Sequence, residues 1–465
     1  MSEKRIRTWG LLILAVLSVS AVRAQDSSDA PKPAMAGDNA ASIQSGAPID
    51  VPDTRPLAGI QNLSLGTQTN SHSFLLPSFG VTTAVQFSPD RSVGNSSPTT
   101  TTYLNGRLAI NKTSSHSELL LDYLVGGGLS GNSNQGNTVI QNLDFSETIR
   151  GGRWSQTFGE QFSYLPAPSF NFGGLGGLNT LGVNLGAVGT TPGFRQDLIP
   201  NQSILINGAA RISNATMAQT TYALGYRSSL IFFGAYGTLH FLDNGFQNSS
   251  SVSTGAGYNY LLSPLNSISV SYGFSRSMFS HIPGGADSHT VQVTFARRIT
   301  GRLSFQVGAG PDIQMYSAPL AGPRTLWSWA LNSALTYQLR NWGTGFNYGH
   351  SLTGGSGILP GAESDVFSGH ATRGLENWQV SVSTGYSMNR ALQQTSSNVL
   401  TAKGWFAGTE VSRRFTNFGS FFVSYNISRQ SGLGAVCSLA ACNVNSVTQT
   451  VGVGYNWGLR PILLE

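Results

Sequence analysis

The sequence predicts an all-β chain: a transmembrane, antiparallel, up-and-down barrel of about 18 strands, with 16 as the alternative count. Three observations predict it. From residue 80 onward apolar side chains recur with period two. The faces between them are small and polar and carry little charge. Short and long connections alternate along the chain, as they do where strands cross a membrane and return.

The elements follow in order. Lys4, Arg5 and Arg7 precede an apolar run from Leu11 to Val19, and Val22-Arg23-Ala24 supplies small residues before a cleavage point. Residues 1–24 therefore read as a signal peptide, with an apolar core too short to span a bilayer as a helix. Residues 25–79 read as a periplasmic N-terminal tail. Its first part, to about residue 56, is rich in Pro, Ala, Asp and Ser and has no periodicity, so it cannot bury a core. Residues 57–79 are more apolar and either dock on the barrel or enter it.

Residues 80–465 form the barrel. Strands are expected near 80–88, 100–113, 116–127, 137–149, 152–165, 215–226, 229–241, 251–262, 265–277, 288–298, 302–316, 327–340, 342–352, 363–373, 377–389, 401–414, 418–429 and 446–457. In one of them Ile268, Val270, Tyr272 and Phe274 alternate with Ser269, Ser271, Gly273 and Ser275. In another Trp378, Val380, Val382, Thr384 and Tyr386 alternate with Gln379, Ser381, Ser383 and Gly385. Successive side chains of a strand point to opposite faces, so each strand has one apolar face and one small polar face. Short turns such as Arg373-Gly-Leu-Glu-Asn377 recur roughly every 34 to 41 residues, one hairpin per period.

Composition separates this from a soluble sandwich. Only 10% of the chain is charged, against roughly 25% in soluble domains. Glycine counts 56 and aromatics make 10%. Trp and Tyr gather near strand ends, where a ring with one wet end suits the membrane interface. The formal charge of +6 falls to +3 once the signal leaves with four basic residues and one acid. No basic stripe appears, which excludes a nucleic-acid partner. Cys437 and Cys442 suggest a disulfide that closes a small loop in an oxidising compartment.

The signal, the alternating strands, the short turns and the closing Val451-Gly-Val-Gly-Tyr455-Asn-Trp457 resemble the Gram-negative outer-membrane barrels, porins in particular. The resemblance covers roughly residues 80–460, is architectural and matches no specific subfamily. It implies a place in the outer membrane among its lipids, small solutes as cargo, and handling by the outer-membrane assembly machinery. It also raises the prospect of a homo-oligomer. Such chains commonly end on an aromatic residue. This one ends Leu459-Arg-Pro-Ile-Leu-Leu-Glu465, with Trp457 left to close the last strand.

The segment 166–213 is long and unusually apolar, with Phe170, Phe172, Leu175 and Leu178 among its glycines and Arg195 and Asp197 as charges. In porins the loop at this place folds inward and narrows the pore, so the resemblance makes these residues a pore-constriction loop. The physical ground is independent: an apolar glycine-rich loop gains by packing inside the barrel. An external cap or a subunit contact are the alternatives. Arg107, Glu118, Asp122, Asp144, Glu410 and Arg414 are expected to face the lumen. Such a sparse mixed set implies weak ion selectivity. Glu147 and Glu160 fall on faces that alternation assigns to lipid, which asks for a shifted register or a bulge turning them inward.

Catalytic signals are weak. The histidines show no paired-ligand spacing, and His281 and His289 merely flank an external loop. No GxSxG elbow occurs. Gly126 to Gly131 match GxGxxG but open no helix. No metal, cofactor or catalytic residue is expected. A Ser, His and Asp brought together on a barrel rim is the one catalytic arrangement that spacing cannot exclude. The leading expectation is a passive channel for small solutes with 166–213 setting its aperture. A plugged structural or surface-interaction barrel and a carrier of apolar compounds are the alternatives.

Overall fold

The structure, a computed structural model, describes residues 73–87, 98–131, 138–165, 210–242, 247–280, 285–317, 325–339, 341–353, 362–391, 401–416, 419–431 and 447–464. These form one antiparallel sheet of 18 strands closed on itself. In chain order they are β1 (Phe74–Phe87), β2 (Thr99–Thr113), β3 (Ser117–Ser130), β4 (Thr138–Gly151), β5 (Trp154–Leu165) and β6 (Arg211–Ala223). Next come β7 (Ser228–Phe241), β8 (Ser249–Ser263), β9 (Asn266–Phe279), β10 (Gly285–Arg298), β11 (Leu303–Tyr316) and β12 (Thr325–Leu339). The ring is completed by β13 (Trp342–Thr353), β14 (Ala362–Leu375), β15 (Trp378–Ala391), β16 (Thr401–Arg414), β17 (Gly419–Ser431) and β18 (Val447–Gly458). A two-residue β19 (Ile462–Leu463) continues the line of β18.

Each strand pairs with its sequence neighbours, and β1 pairs with both β2 and β18. The seam runs from Phe87↔Gln449 to Ser78↔Gly458, and Leu463 and Ile462 extend it to Phe74 and Leu75. Closure matters because an open sheet edge in lipid would strand backbone donors and acceptors with no water to satisfy them. Strands of 14 residues, such as β1 and β7, are about 46 Å long at 3.3 Å per residue; tilted by about 40° they more than cover the hydrocarbon core.

The 16-strand alternative is therefore set aside. Two boundaries move. β1 begins at Phe74, so Phe74 to Phe79, grouped above with the tail, are wall. Phe-Leu-Leu-Pro does not alternate, which hid it; its pairing to β2 from Phe74↔Asn111 onward holds it in the sheet. β6 begins at Arg211, so Arg211 to Ser213, grouped above with the long segment, are also strand. The signal peptide, nearly all of the tail and residues 166–209 lie outside the described residues.

The two faces of the wall differ as the alternation requires. One parity carries exposed large apolar side chains: Val81, Leu104, Phe158, Val270, Val293, Val382, Val423 and Val453. This is the outer, lipid-facing side. Aromatics mark its margins, with the Trp154 and Tyr222 rings tilted against each other at 4.4 Å. At the short-turn margin the Arg373 guanidinium lies 5.9 Å from the Trp342 ring, and that of Arg413 lies 5.0 Å from the Trp378 ring. Such pairs keep a cation in the headgroup region over a half-apolar ring.

Candidate functional site: the lumen wall

The other parity faces the lumen. On β8 and β9 it presents Ser249, Ser251, Ser253, Asn259, Ser267, Ser269 and Ser271, all buried. On β10 and β11 it presents Gln292, Thr294, Ser304, Gln306, Asp312 and Gln314. Hydroxyls and amides both donate and accept, so this wall can hydrogen-bond water or a polar solute without demanding a charge.

The register also places the six charges expected in the lumen on this face. Arg107 and Asp122 meet across β2 and β3: Arg107 Nε donates to Asp122 Oδ1 at 2.8 Å, and a second nitrogen, Nη2, reaches Oδ2. Glu118 accepts from Arg150 at 2.7 Å. Asp144 is buried and accepts from Asn142 at 2.8 Å and from Gln161 at 3.0 Å. Glu410 and Arg414 lie on the lumen parity of β16.

Sequence reasoning missed four further charges. Arg150, Arg211, Arg298 and Asp312 share the lumen parity of their strands. Asp312 accepts from Ser288 at 2.7 Å and Thr290 at 3.1 Å. Arg150 lies one residue past the expected end of its strand, whereas Arg298 and Asp312 lay inside expected strands and parity alone would have placed them. Arg211 was hidden in the segment assigned to loop. With these included, acids and bases balance around the lumen among the described residues.

One sector is different in kind. On β6 and β7 the lumen parity carries Ala215, Met217, Ile231, Phe233, Leu239 and Phe241, all buried, with Ile231 at 2% and Phe241 at 3% exposure. β7 is apolar on both faces, since Leu230, Phe232 and Tyr236 point outward. This stripe runs most of the height of the wall, on the two strands that follow segment 166–209.

The expected constriction residues Phe170, Phe172, Leu175, Leu178, Arg195 and Asp197 lie outside the described residues, as do Cys437, Cys442 and His281. His289 stands on the outer face of β10, where its Nδ1 is 2.7 Å from the Tyr272 hydroxyl. Glu147 and Glu160 also stand on the outer face. The β4–β5 register runs unbroken from Gly151↔Trp154 to Gln141↔Tyr164, so neither a slip nor a bulge turns them inward.

A Ser, His and Asp do meet near the long-loop margin of β12 to β14. Ser328 Oγ is 3.4 Å from His350 Nε2, and His350 Nδ1 is 2.8 Å from Asp365 Oδ1. The Ser328 hydroxyl, however, donates to Glu363 Oε1 at 3.1 Å, and that same oxygen is 3.4 Å from His350 Nε2. The serine hydroxyl thus has a carboxylate acceptor nearer than the imidazole, whereas a nucleophilic triad needs the imidazole as its acceptor. Among the described residues no cluster of three or more His, Cys, Asp or Glu could hold a metal ion.

An apolar outer belt, a polar lumen and a ring without edges leave one environment for this wall. The chain is a transmembrane antiparallel β-barrel. No family model and no curated protein matches the sequence. Among solved structures it is similar to Pseudomonas aeruginosa OpdF, crystallised in complex with glucuronate, at 11% identity, covering 83% of this chain and 98% of that one with a TM-score of 0.43. It is also similar to OpdQ of the same organism, at 12% identity, 84% and 98% coverage and a TM-score of 0.43. For OpdH, again from that organism, the figures are 13%, 83%, 98% and 0.42.

Proposed function

We infer that the protein is an outer-membrane channel for passive diffusion of small hydrophilic solutes, with segment 166–213 setting its aperture. The observation that carries the reading is the lumen face itself, a lining of serine, threonine, amide and glycine with acids and bases in balance. Rings of 16 to 18 strands enclose an aqueous lumen unless something fills it. A hydroxyl-rich wall suits solutes that exchange hydrogen bonds with water easily, and paired charges set no strong barrier to either sign of ion.

The apolar stripe of β6 and β7 supports the role given to the long segment. Six apolar side chains left in lumen water would be unfavourable, since burying each gains about 1.5–3 kcal/mol for the larger ones, and all six are buried. The segment bearing Phe170, Phe172, Leu175 and Leu178 joins β5 to β6 and is the adjacent chain with matching chemistry. In this reading it packs along the stripe, leaving the neighbouring serine-rich wall of β8 and β9 wet. Arg195 and Asp197 then face the remaining opening. The same stripe favours a second reading, a carrier in which apolar compounds slide along Ile231 to Phe241.

Single-channel conductance of the mature protein in a planar bilayer tests this, with and without residues 168–207 replaced by a short Gly/Ser linker. Stable steps that grow on deletion are expected. Silence from both folded forms overturns the channel and leaves a plugged structural or surface-interaction barrel. Uptake of apolar but not hydrophilic probes into liposomes would select the carrier.

A further inference from the structure

The two margins of the barrel differ in charge. Seven exposed cations stand along the short-turn margin. Lys112, Arg297, Arg373 and Arg413 occupy outward strand positions, and Arg153, Arg227 and Arg302 lie in the short connections. Among the described residues none of the seven forms an ion pair. Outside the lumen, the described acids on that side are Glu376, in the turn after β14, and Glu147, on the outer face of β4 two strands from Lys112 on the same rung. The long-loop margin is close to even. There Arg276 pairs with Asp287 at 3.7 Å, Arg390 with Glu363 at 3.4 Å and His350 with Asp365 at 2.8 Å, which leaves Lys403 and Arg429. Like charges gathered along one edge repel, and anions within reach offset the repulsion.

The geometry favours phosphate. Arg413 lies over both the Trp378 and the Phe415 ring, 5.0 Å from each centroid, and Arg373 lies over Trp342. A guanidinium held against a ring keeps its edge N–H donors free, and that edge grips a phosphate with two parallel hydrogen bonds. Toward mid-membrane the same outer face continues as Phe346, Val382 and Val293, all exposed. A phosphate at the edge above an apolar wall is the layout of one lipid molecule. The cations are also spread singly. Apart from Arg297 and Arg302, successive ones are two to four strands apart, about 10–19 Å at roughly 4.8 Å per strand. That spacing suits heads with one phosphate each and not a head with several clustered phosphates.

We propose that the short-turn margin is a belt that selects anionic phospholipid, each cation holding the phosphate of one lipid while the acyl chains lie on the wall. A zwitterionic head brings its own cation among the arginines and is disfavoured; a head with net negative charge is attracted by the whole edge. Short turns of such barrels face the periplasm, so the lipid comes from the leaflet on that side. The belt is independent of what passes through the lumen.

The test offers the full mature chain an equimolar mixture of phosphatidylglycerol and phosphatidylcholine and reads the retained lipids by native mass spectrometry. R297Q/R373Q/R413Q is compared with K403Q/R429Q at the other margin, and heat-modifiable gel mobility reports the fold. The wild type is expected to retain phosphatidylglycerol preferentially. The triple variant should lose most of that preference and the other variant should keep it. The preference should also fall as salt rises from about 0.01 M to 1 M, where the screening length shortens from roughly 30 Å to 3 Å. A preference that survives the triple substitution in folded protein overturns the proposal. So does a wild type without preference, or one whose preference salt does not weaken, and that measurement needs no variant. Lipopolysaccharide in place of phosphatidylglycerol, and inorganic phosphate alone, separate the sources. Equal retention of either through the same three arginines overturns the assignment to phospholipid.

Discussion

Where a lumen side chain crosses to the next strand, glycine makes the room. Phe422 is fully buried and lies over Gly454, its cross-strand partner, while Phe406 lies likewise over Gly385. A Cβ on Gly454 would meet Phe422 Cε1 at 2.5 Å and the Val81 carbonyl oxygen at 2.7 Å. The second of these is backbone at the closure seam and cannot rotate away. Gly454→Val is therefore expected to cost about 1–3 kcal/mol, read as a lower temperature for the gel shift that marks unfolding. The half-buried ion pair of Arg107 with Asp122 makes a different prediction. Its stability value is about 1 kcal/mol once solvent screening is counted, so the fold should survive its loss, and selectivity should move. Arg107→Gln leaves a net negative lumen and should shift the zero-current potential in a salt gradient toward cation preference. Asp122→Asn should shift it the other way, and shifts in the same direction, or none, would contradict the placement of both groups along the ion path. These residues were legible from parity alone. Their pairing was not, because it depends on which rung of the neighbouring strand each side chain faces.

Strands were legible because period-two alternation is a local property and the wall has two different solvents. β9 and β15 begin within a residue of where the alternation puts them. Where the pattern failed, so did the boundary: Phe74 to Phe79 show no alternation, and Arg211 to Ser213 are too short a run to display one. Glu160 shows the opposite error. Alternation put it outward correctly, and the expectation that a carboxylate avoids lipid argued against it. Turns carry information of another sort. Leu375 and Trp378 are paired across a two-residue connection in which Glu376 has φ of 30°. Tight hairpins need such angles, and a residue with a Cβ adopts them at a cost. Glu376→Gly should stabilise the barrel by about 0.4–1 kcal/mol, and Glu376→Val should destabilise it by more. Unfolding midpoints in guanidinium, compared with the same pair of changes at the exposed Gln156, would show whether the effect belongs to the turn.

At the scale of the whole ring, every strand has two partners and the charges inside it balance among the described residues, and the second property predicts how ions pass. Glu118, Asp122, Asp144, Asp312 and Glu410 stand against Arg107, Arg150, Arg211, Arg298 and Arg414 on the lumen face. The distribution is uneven, with acids and bases mingled on β2 to β4 and almost no charge on β7 to β9. An ion crossing near the serine-rich wall feels mainly oriented hydroxyls. One crossing near β2 to β4 feels opposed charges a few ångströms apart, whose fields cancel beyond about 10 Å at 0.1 M salt and sooner at 1 M. The expected permeability ratio of potassium to chloride is therefore of order one in 1 M salt. It should drift from unity as salt falls to about 0.01 M, where screening extends to roughly 30 Å and the uneven placement is no longer hidden. Reversal potentials measured at fixed concentration ratio across that range check this. A strong preference already present at 1 M would mean that charges beyond those of the wall, Arg195 or Asp197 foremost, stand in the narrowest part of the path.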